Sequence, residues 1–584
     1  MKRGGLWAIV LTNCLVLVGW GDEPKLTPRL PELLVDPLPM RLEAPPAPEA
    51  RTDTLGWRTG GVRYSLAVPR TPYAPTRREF LCYNLTLEKG LSRLPLFEWW
   101  AMGENSSLPA PVNPRGVAVL IVGDLVGGFE FLKRTEYMPL KLPTYPPWSI
   151  EAQAYPLTPV YLRPEQLPNS PIALLGVPFI VLMDGAERLS EAQQRALVLW
   201  LHAGGQLIVP LGASAPLLRR MQLAPYLPAW DEVRLQQLKQ PLHLPKTGDS
   251  LAPPPEPVPV AWLSHPRGAP LVQVGDRTLA IETQWGFGRL MVIGSDLTHS
   301  AWRRWRGQAT LWATLLHRPR FPILQLAQLT DTPERDPEIR KQRVVAAPYL
   351  AAILTAYWAS LYILWRTLRA QRRLVYAPYG VAALAGLTLI ALYFATPKEP
   401  KTAPFKSSRV ILGVGEHALE RAECLCRLPS GEWTLTRQGA DALAVEPTIA
   451  PNPIQVAFTS EGTKLRGGGA IPTTLTLRTL TQSPAPLRLQ RTRDGYELRN
   501  ISEDLTFEVM AVKSYPRSSS PSEAESADDM SKWETNPPLA TWRLAPNQSV
   551  SFPYEPLVGY LVRGSAKVAT EQLTEEVEIW LFYP

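Results

Sequence analysis

Two long apolar runs near the middle of the chain dominate its hydropathy pattern. Residues 344–365 and 376–395 contain no charged side chain, and each run is long enough to cross a bilayer core of about 30 Å as a helix. The turn between them, residues 366–375, carries arginines and no acid, and short arginine-rich loops stay in the cytoplasm. The pattern therefore predicts a transmembrane hairpin with a cytoplasmic turn and both flanking regions outside.

Upstream of these runs, short apolar stretches alternate with a helical pattern. GVAVLIVGD, VPFIVLMDG and QLIVPLG are typical of strands buried on both faces. Before the third stretch, Ser190 and Gln193 have the spacing of a capping box, and Gly204 and Gly205 end the helix that follows. Such strand–helix–strand units predict a parallel-sheet α/β domain, of flavodoxin-like type, over residues 111–320.

The pattern at both ends of the chain is that of strands. Residues 56–110 contain VRYSLAV and REFLCYNLTL, which alternate apolar with polar positions, and this segment is short for an independent domain. Residues 404–584 repeat strand-like runs between turn residues, which predicts an all-β, sandwich-like domain. Inside it, the polar and Ser-rich insert 515–538 predicts a disordered loop.

The first residues resemble an export signal. MKRGG precedes the mostly apolar stretch LWAIVLTNCLVLVGW, so residues 1–21 are predicted to be a signal peptide, with an uncleaved anchor as the alternative. Residues 22–55 are rich in proline and predict a linker. Either form of the N-terminus places the large domains outside the cytoplasm, so the predicted protein crosses the membrane twice after signal cleavage.

The composition argues against several classes of function. The net charge of +8 is a mild excess with no basic cluster outside the helical turn, which argues against a nucleic-acid partner. Cys82, Cys424 and Cys426 are too few for a disulfide framework. The last two lie two residues apart, so we expect them to pack on one face of a strand. No histidine pairs closely with a cysteine, so no zinc site or other cofactor is predicted.

A family resemblance adds to this pattern. The stretch PEQLPNSPIALLGVPFIVLMDGAERLSEAQQRALVLWLHAGGQLIVPLG resembles the class I glutamine amidotransferase-like fold, in the version found in uncharacterised bacterial membrane proteins. The later motif Gly286-Phe287-Gly288-Arg289 and the tail segments 495–500 and 544–549 match as well. In the tail Asn547 stands where the family has Gly, which Asn tolerates because it visits positive φ. The resemblance implies a bacterial inner (cytoplasmic) membrane location.

The resemblance also implies where chemistry would lie. Class I amidotransferases carry a catalytic Cys in a G-x-C-x-G turn, and the matching turn here is 212–216, with Ser214 at the Cys position. Ser214 could act as a nucleophile with His299 as base and Asp296 nearby. However, Pro216 replaces the second Gly, and no acid follows His299 two residues later. We therefore interpret Ser214 as a helix cap and His299 as a loop residue, with a serine hydrolase as the alternative.

The remaining candidate is Asp184, which follows a buried strand. It could line a cleft at the carboxyl edge of the sheet, where open α/β folds bind ligands, or it could be a turn residue. The sequence thus predicts a non-catalytic, membrane-anchored envelope protein that binds or scaffolds protein partners, for example beside a transporter. A glycan-binding module is a further alternative, because the chain has 19 Trp. Exposed, coplanar Trp rings would favour it, and buried rings would remove it.

Overall fold

The structure is a computed structural model. Strands account for 50% and helices for 22% of the structure. The predicted signal peptide, residues 1–21, and the predicted insert, residues 515–538, lie outside the described residues. The described residues are 25–28, 38–59, 62–82, 97–101, 104–108, 117–124, 127–134, 136–137, 155–213, 215–245, 247–264, 268–316, 337–371, 376–395, 403–414, 416–429, 431–437, 441–447, 454–459, 462–469, 473–492, 495–514, 540–553, 559–569 and 574–583.

Seven strands form the N-terminal region: β1 (Lys25–Pro28), β2 (Leu38–Ala44), β3 (Arg51–Thr59), β4 (Val62–Arg70), β5 (Thr76–Cys82), β6 (Phe97–Ala101) and β7 (Glu104–Leu108). Three of these strands lie inside residues 22–55 or overlap that range. Residues 25–28, 38–44 and 51–55 of the predicted proline-rich linker therefore lie in strands.

The central region contains fourteen described strands: β8 (Val117–Val122), β9 (Glu136–Tyr137), β10 (Tyr155–Leu162), β11 (Phe179–Leu182), β12 (Gln206–Pro210), β13 (Ala229–Trp230), β14 (Arg234–Gln236), β15 (Leu242–Leu244), β16 (Asp249–Leu251), β17 (Val258–Val260), β18 (Leu263–Ser264), β19 (Ala269–Val274), β20 (Arg277–Trp285) and β21 (Gly288–Ile293). Its described helices are α1 (Glu191–Ala203), α2 (Ala215–Leu218), α3 (Ser300–Arg303) and α4 (Gln308–Leu315). Two longer helices follow, α5 (Pro337–Ala370) and α6 (Ala377–Ala395).

The C-terminal region contributes the remaining described strands: β22 (Ala403–Val414), β23 (His417–Leu428), β24 (Gly431–Arg437), β25 (Ala442–Pro447), β26 (Ile454–Thr459), β27 (Gly462–Gly469), β28 (Thr473–Pro484), β29 (Leu487–Arg491), β30 (Gly495–Asn500), β31 (Phe507–Ser514), β32 (Ala540–Leu544), β33 (Ser549–Pro553), β34 (Gly559–Ala569) and β35 (Thr574–Tyr583). The turn before β33 places Asn547 at φ 63°, so the predicted positive φ is confirmed.

The central sheet has twelve strands, and its main path runs β16–β15–β19–β20–β21–β12–β11–β8–β10–β9. The segment β21–β12–β11–β8–β10 is parallel, whereas the other pairings in this sheet are antiparallel. Strands β20 and β21 meet in a tight hairpin, in which Gly286 has φ +61°. Successive side chains alternate between two hydrophobic cores: Leu120 and Ile180 face one core, and Val119 and Phe179 face the other.

Helix α1 covers one face of the parallel strands, and the predicted capping box is confirmed. The Oγ atom of Ser190 accepts a hydrogen bond from the backbone N–H of Gln193 at 3.3 Å, and Gly204 ends the helix with φ +131°. The buried Trp200 donates from Nε1 to the carbonyl of Val177 at 3.0 Å. A Cβ atom on Gly205 would lie 2.3 Å from this indole, so only glycine fits there.

The two ends of the chain build one sandwich. Strand β4 pairs in parallel with β26, which joins N-terminal and C-terminal strands in a seven-stranded sheet ordered β24–β27–β26–β4–β3–β6–β7. Trp57 and Tyr64 of this sheet pack in one core with Cys424 and Cys426 of an eight-stranded sheet, ordered β25–β28–β23–β22–β35–β34–β31–β32. The predicted packing of the two cysteines on one strand face is confirmed, since both are buried free thiols.

The eight-stranded sheet also packs against the central region. Val410, Leu412, Leu419 and Leu480 lie in the same hydrophobic core as Trp200 of α1. At this position the sheet is covered on both faces, by α1 on one side and by the seven-stranded sheet on the other. The remaining strands form three smaller sheets, β1–β2–β5, β14–β17 and β29–β30–β33.

The predicted fold class is wrong. The chain is mostly β, and the parallel, flavodoxin-like arrangement predicted over residues 111–320 does not describe it. The described helices of the central region are few and mostly short, because its connections between residues 229 and 264 fold as short strands instead. The strands that the apolar runs predicted do form, but antiparallel strands extend the sheet beyond them.

The predicted transmembrane hairpin is also wrong. The runs 344–365 and 376–395 do form helices, but no helix in the described part of the chain combines the length and apolar content that crossing a membrane requires. The first helix, α5, begins and ends in turns that contain charged residues, and α6 has 19 residues, at the short end for a crossing. The predicted two-pass inner-membrane location is therefore not supported either.

Candidate functional site

Polar residues follow the parallel strands at the point where each strand ends. Asp124 follows β8, Asp184 follows β11 and Asp296 follows β21. Because the carboxyl ends of parallel strands meet at the same edge of a sheet, these residues share one edge, hereafter the carboxyl edge. His299 lies on the same loop as Asp296. Ser214, the candidate nucleophile, lies outside the described residues.

Asp184 binds the turn that follows the neighbouring strand. Its Oδ2 atom accepts a hydrogen bond from the backbone N–H of Ala213 at 3.2 Å. A Cβ atom on Gly212 would lie 2.8 Å from the same carboxylate, so the carboxylate takes the space that a side chain would need. The backbone carbonyl of Asp184 accepts from the N–H of Asp124 at 2.9 Å. Asp184 is thus a turn-binding residue that also lies at the carboxyl edge.

Asp124 has a similar place one strand away. A Cβ atom on Gly185 would lie 2.7 Å from the carboxylate of Asp124, and Gly185 has φ +98°. The same carboxylate forms an ion pair with Arg188, which also lies 3.8 Å from Glu165. These three side chains are 49–64% exposed, and exposed ion pairs stabilise a fold by about 0–1 kcal/mol. The sequence signal at Asp124, an apolar strand ending in Asp, is the one that pointed to Asp184.

Asp296 and His299 bind backbone groups of their own loop. The Oδ1 atom of Asp296 accepts from the N–H and the hydroxyl of Thr298, at 2.8 and 2.6 Å. The Nδ1 atom of His299 accepts from the N–H of Ala301 at 3.4 Å and so caps the start of α3. Within the described residues, no hydrogen bond joins the side chains of Asp296 and His299. The structure brings the two residues onto one loop but not into a catalytic pair.

Another acid at the carboxyl edge, Glu130, was not predicted from the sequence. Glu130 accepts hydrogen bonds from the backbone N–H of Gly128 at 2.8 Å and from the hydroxyl of Tyr161 at 3.1 Å. Backbone hydrogen bonds, the largest being to its own N–H, hold the pKa of Glu130 below its ordinary value. Burial, together with this carboxylate, raises the pKa of Tyr161 to about 12. Nothing in the local pattern around Glu130 marks it, since its side-chain partner, Tyr161, comes from another strand.

A second candidate site lies where three parts of the chain meet. This junction cavity has a volume of about 640 Å³ and is lined by Glu79, Asn169–Ser170, Glu416–His417, Asp441, Gln482–Pro484 and Arg488. Glu79 comes from β5, Asn169 and Ser170 from a central loop, and the others from the C-terminal strands and their turns. No single stretch of sequence predicts the cavity, because strand pairing between distant segments creates it.

Both the central and the C-terminal walls of the junction cavity are held firmly. Gln193 of the capping box donates from Nε2 to the carbonyls of Pro164 and Leu167, at 2.7 and 2.8 Å, and so anchors the loop that leads to Asn169. On the C-terminal side, Asp441 accepts from the N–H of Gln482 at 2.8 Å. The cavity is therefore a preformed feature of the fold.

Two polar atoms of the cavity-lining residues lack a partner. The Oγ atom of Ser483 and the Nε atom of Arg488 are buried and make no hydrogen bond to any described residue. The Nη1 atom of Arg488 does bind Glu416, at 3.2 Å. Leaving a buried donor or acceptor unpaired costs about 1–3 kcal/mol, and both atoms are shielded, so a molecule in the cavity would not reach them.

The tryptophans do not support the glycan-binding alternative in its predicted form. Where the structure describes their side chains, seven are buried: Trp57, Trp200, Trp285, Trp302, Trp305, Trp312 and Trp433. Trp358 and Trp365, both on α5, are the ones with large exposure, at 68% and 51%. No coplanar platform of exposed Trp rings is present on the β-sheets in the described residues, so the Trp content alone no longer argues for sugar binding.

Comparisons with known proteins leave the assignment open. No protein-family model and no curated protein matches the chain. The cytoplasmic protein STM1381 from Salmonella typhimurium LT2 is 12% identical over 34% of this chain and 98% of its own, with a TM-score of 0.24. The mmIFT52 N-terminal domain is 16% identical over 34% and 97%, with a TM-score of 0.24. Gan42B, a GH42 β-galactosidase from G. stearothermophilus, is 10% identical over 62% and 40%, with a TM-score of 0.20.

Likeness at these TM-scores carries no conclusion about fold or function. The resemblance to amidotransferase-like domains likewise stays a prediction, because none of these matches bears on it.

Proposed function

We propose that the chain is a non-catalytic binding protein, in which the sheets form a frame that presents polar recognition sites. The observation that carries this proposal is the hydrogen bonding of His299. A serine hydrolase needs a base that reaches the nucleophile at about 2.6–3.2 Å and is oriented by a third group. The candidate base instead contacts the N–H of Ala301, and the candidate orienting acid, Asp296, contacts Thr298.

The tautomer that this hydrogen bond requires also opposes base catalysis. When Nδ1 of a neutral imidazole accepts a hydrogen bond, the proton is on Nε2. His299 then has no free acceptor nitrogen with which to take a proton from a serine hydroxyl. Catalysis would require loss of the cap on α3 and a change of tautomer. A binding role requires neither the loss of the cap nor the change of tautomer.

A fluorophosphonate probe tests the proposal on the full chain. We expect no covalent labelling, because an unactivated serine is a poor nucleophile at neutral pH. Ser214→Ala is the informative variant, and Ser264→Ala, which removes an exposed hydroxyl elsewhere, is its matched control. Labelling of the parent chain and of Ser264→Ala that disappears in Ser214→Ala would contradict the proposal and support the hydrolase alternative.

The exposed charges of the carboxyl edge support protein partners as part of this role. Asp124 and Glu165 are 61% and 64% exposed and share one cation, Arg188, which leaves the group net negative. Complementary charge steers association and sets specificity, so we expect a partner with a basic contact surface. Crosslinking of the full chain in cells, compared with Asp124→Lys/Glu165→Lys, checks this. Identical crosslinked species in both samples would remove the carboxyl edge as the contact surface.

A further inference from the structure

We infer that Cys424 and Cys426 form a redox-sensitive dithiol, which must stay reduced for strand β23 to keep its place in the fold. This inference goes beyond the proposed binding role and does not depend on it. The two Sγ atoms lie 3.8 Å apart on one face of β23, and neither residue is in a disulfide. Two thiols that face each other at this distance are placed to be oxidised as a pair.

The extended conformation of β23 opposes a disulfide between these two residues. Residues two apart in a strand have Cα atoms about 6.6–6.8 Å apart, at the upper limit of the range of about 4.4–6.8 Å that disulfides span. Their Cβ atoms point the same way and are separated by a similar distance, whereas a disulfide needs Cβ atoms about 3.5–4.5 Å apart. Closing the bond therefore requires the strand to bend between Cys424 and Cys426.

Strand β23 has little freedom to bend, because it is an inner strand of the eight-stranded sheet. It pairs with β28 without interruption from His417 to Leu428. On its other side it pairs with β22, where the register shifts between Pro404 and Lys406, opposite Cys426 and Leu425. A bend at the two cysteines would break the continuous ladder with β28, and the shift makes the β22 side the weaker of the two ladders.

Both thiols also belong to the core that joins the two ends of the chain. Cys424 and Cys426 are 3% and 1% exposed and lie in one core with Trp57 and Tyr64. A bend of β23 would displace side chains in this close-packed core, which destabilises the fold. Because oxidation and folding form a thermodynamic cycle, the fold disfavours the disulfide to the same extent that the disulfide disfavours the fold.

The oxidation is a thiol–disulfide exchange with a small disulfide such as oxidised glutathione. One cysteine thiolate attacks a sulfur of this disulfide, forms a mixed disulfide and releases one glutathione thiolate. The second cysteine thiolate attacks the mixed disulfide and releases the second glutathione thiolate, and the two glutathiones take up the protons that the two cysteines lost. Because both thiols are buried, the exchange proceeds when β23 opens, and its product resists closing.

Exchange equilibria measured on the full chain test the inference. The chain is equilibrated with reduced and oxidised glutathione, with and without denaturing urea, starting from the reduced and from the oxidised chain until both give one value. Free thiols are then alkylated, and mass spectrometry measures the tryptic peptide 422–427, which contains both cysteines of the pair and no other. We expect the equilibrium constant for this disulfide to be smaller by about tenfold or more without urea.

Urea unfolding supplies a second measurement, with two variants as controls. The oxidised parent chain should unfold at a lower urea concentration than the reduced chain, and dithiothreitol should reverse the shift. Cys82→Ser keeps the pair and should show the same shift. Cys424→Ala/Cys426→Ala lacks the pair and should show no shift after treatment with oxidised glutathione. An oxidised parent chain that does not fold at all is the same result at its largest.

Three results would overturn the inference. They are equal equilibrium constants for the disulfide with and without urea, an oxidised chain that unfolds at the same urea concentration as the reduced chain, and a shift that persists in Cys424→Ala/Cys426→Ala. Each result concerns the dithiol alone. Failure of the non-catalytic role is recognised separately, by fluorophosphonate labelling that depends on Ser214.

Discussion

The carboxyl edge and the junction cavity both collect charged and polar side chains, but they use them differently. At the carboxyl edge the carboxylates of Asp184, Asp296 and Glu130 accept hydrogen bonds from nearby backbone N–H groups. In the junction cavity, Ser483 and Arg488 keep buried polar atoms without a partner in the described residues. Polar groups that the fold has paired stabilise it, whereas a buried polar group left unpaired costs about 1–3 kcal/mol.

The place of a polar side chain in the fold does not by itself show whether it is free to bind a ligand. The carboxyl edge is where open parallel sheets bind ligands, and sequence reasoning leads there first. Yet its best candidates, Asp184 and His299, cap turns of their own chain. The junction cavity does not lie at an edge where parallel sheets bind ligands, and two of its lining residues keep buried polar atoms without a partner in the described residues. The predictions below change one side of this contrast at a time.

The largest effect is expected at His202, a buried residue that belongs to neither site. Both of its ring nitrogens lack a partner among the described residues, and burial lowers its pKa from 6.5 to about 4. The unfolded chain therefore binds a proton at pH values where the folded chain does not. The free energy of unfolding should fall as pH decreases from about 6.5 to about 4, by about 3 kcal/mol in total.

Urea unfolding at pH 7 and pH 4 measures this loss. His202→Phe, which keeps the contacts with Tyr226 and Trp285 possible, should lose less stability over this interval than the parent. His243→Phe changes an exposed histidine and is the matched control. Equal losses in the parent and in His202→Phe would mean that other groups cause the acid sensitivity.

The next effect tests how closely Asp124 packs on the backbone. Gly185→Ala should lower the free energy of unfolding by about 1–3 kcal/mol, because alanine is strained at φ +98° and its Cβ would meet the Asp124 carboxylate. Gly248→Ala is the matched control, since Gly248 has φ +76° and nothing within 4 Å of the added Cβ. Chemical denaturation should show the larger loss at Gly185.

The double variant Gly185→Ala/Asp124→Ala separates the two causes in that prediction. It should be more stable than Gly185→Ala alone, because removal of the carboxylate relieves the close contact. If the second substitution brings no recovery, the backbone conformation alone explains the loss.

A smaller effect is expected at the cap of α3. His299→Ala should cost about 1 kcal/mol of stability, because the N–H of Ala301 loses its acceptor. His299→Asn should restore most of it, since Asn is a good N-cap residue. Thermal unfolding of the two variants measures the difference. Equal melting temperatures for the Ala and Asn variants would argue against the cap.

The smallest effect is expected for the serine of the junction cavity. Ser483→Ala should change the free energy of unfolding by less than about 0.5 kcal/mol, because the lost hydroxyl had no partner. Ser190→Ala, at the capping box of α1, is the contrasting variant and should cost about 1 kcal/mol. If Ser483→Ala lowers the free energy of unfolding as much as Ser190→Ala does, the Ser483 hydroxyl contributes to the stability of the fold.

The sequence predicts local features well where local chemistry determines them. The capping box at Ser190 and the positive φ of Asn547 both depend on residues within one turn, and both are confirmed. The buried strands at the centre of the chain also follow directly from their continuous apolar runs. In each case the signal and the structure lie within a few residues of each other.

The fold class and the junction cavity depend on partners that lie far apart in the sequence. The pairing of β4 with β26 joins residues near 64 to residues near 456, and no local pattern selects that partner. The apolar content of residues 344–365 and 376–395 predicted helices correctly but did not determine what the helices do. Ser483 and Arg488 carry no motif at all, because their significance arises only where three segments meet.

Fluorophosphonate labelling of the full chain, compared with Ser214→Ala, tests the non-catalytic role most directly. The account predicts no covalent labelling, because His299 accepts a hydrogen bond from the N–H of Ala301 and Asp296 binds Thr298. Labelling of the parent chain that disappears in Ser214→Ala would contradict the account.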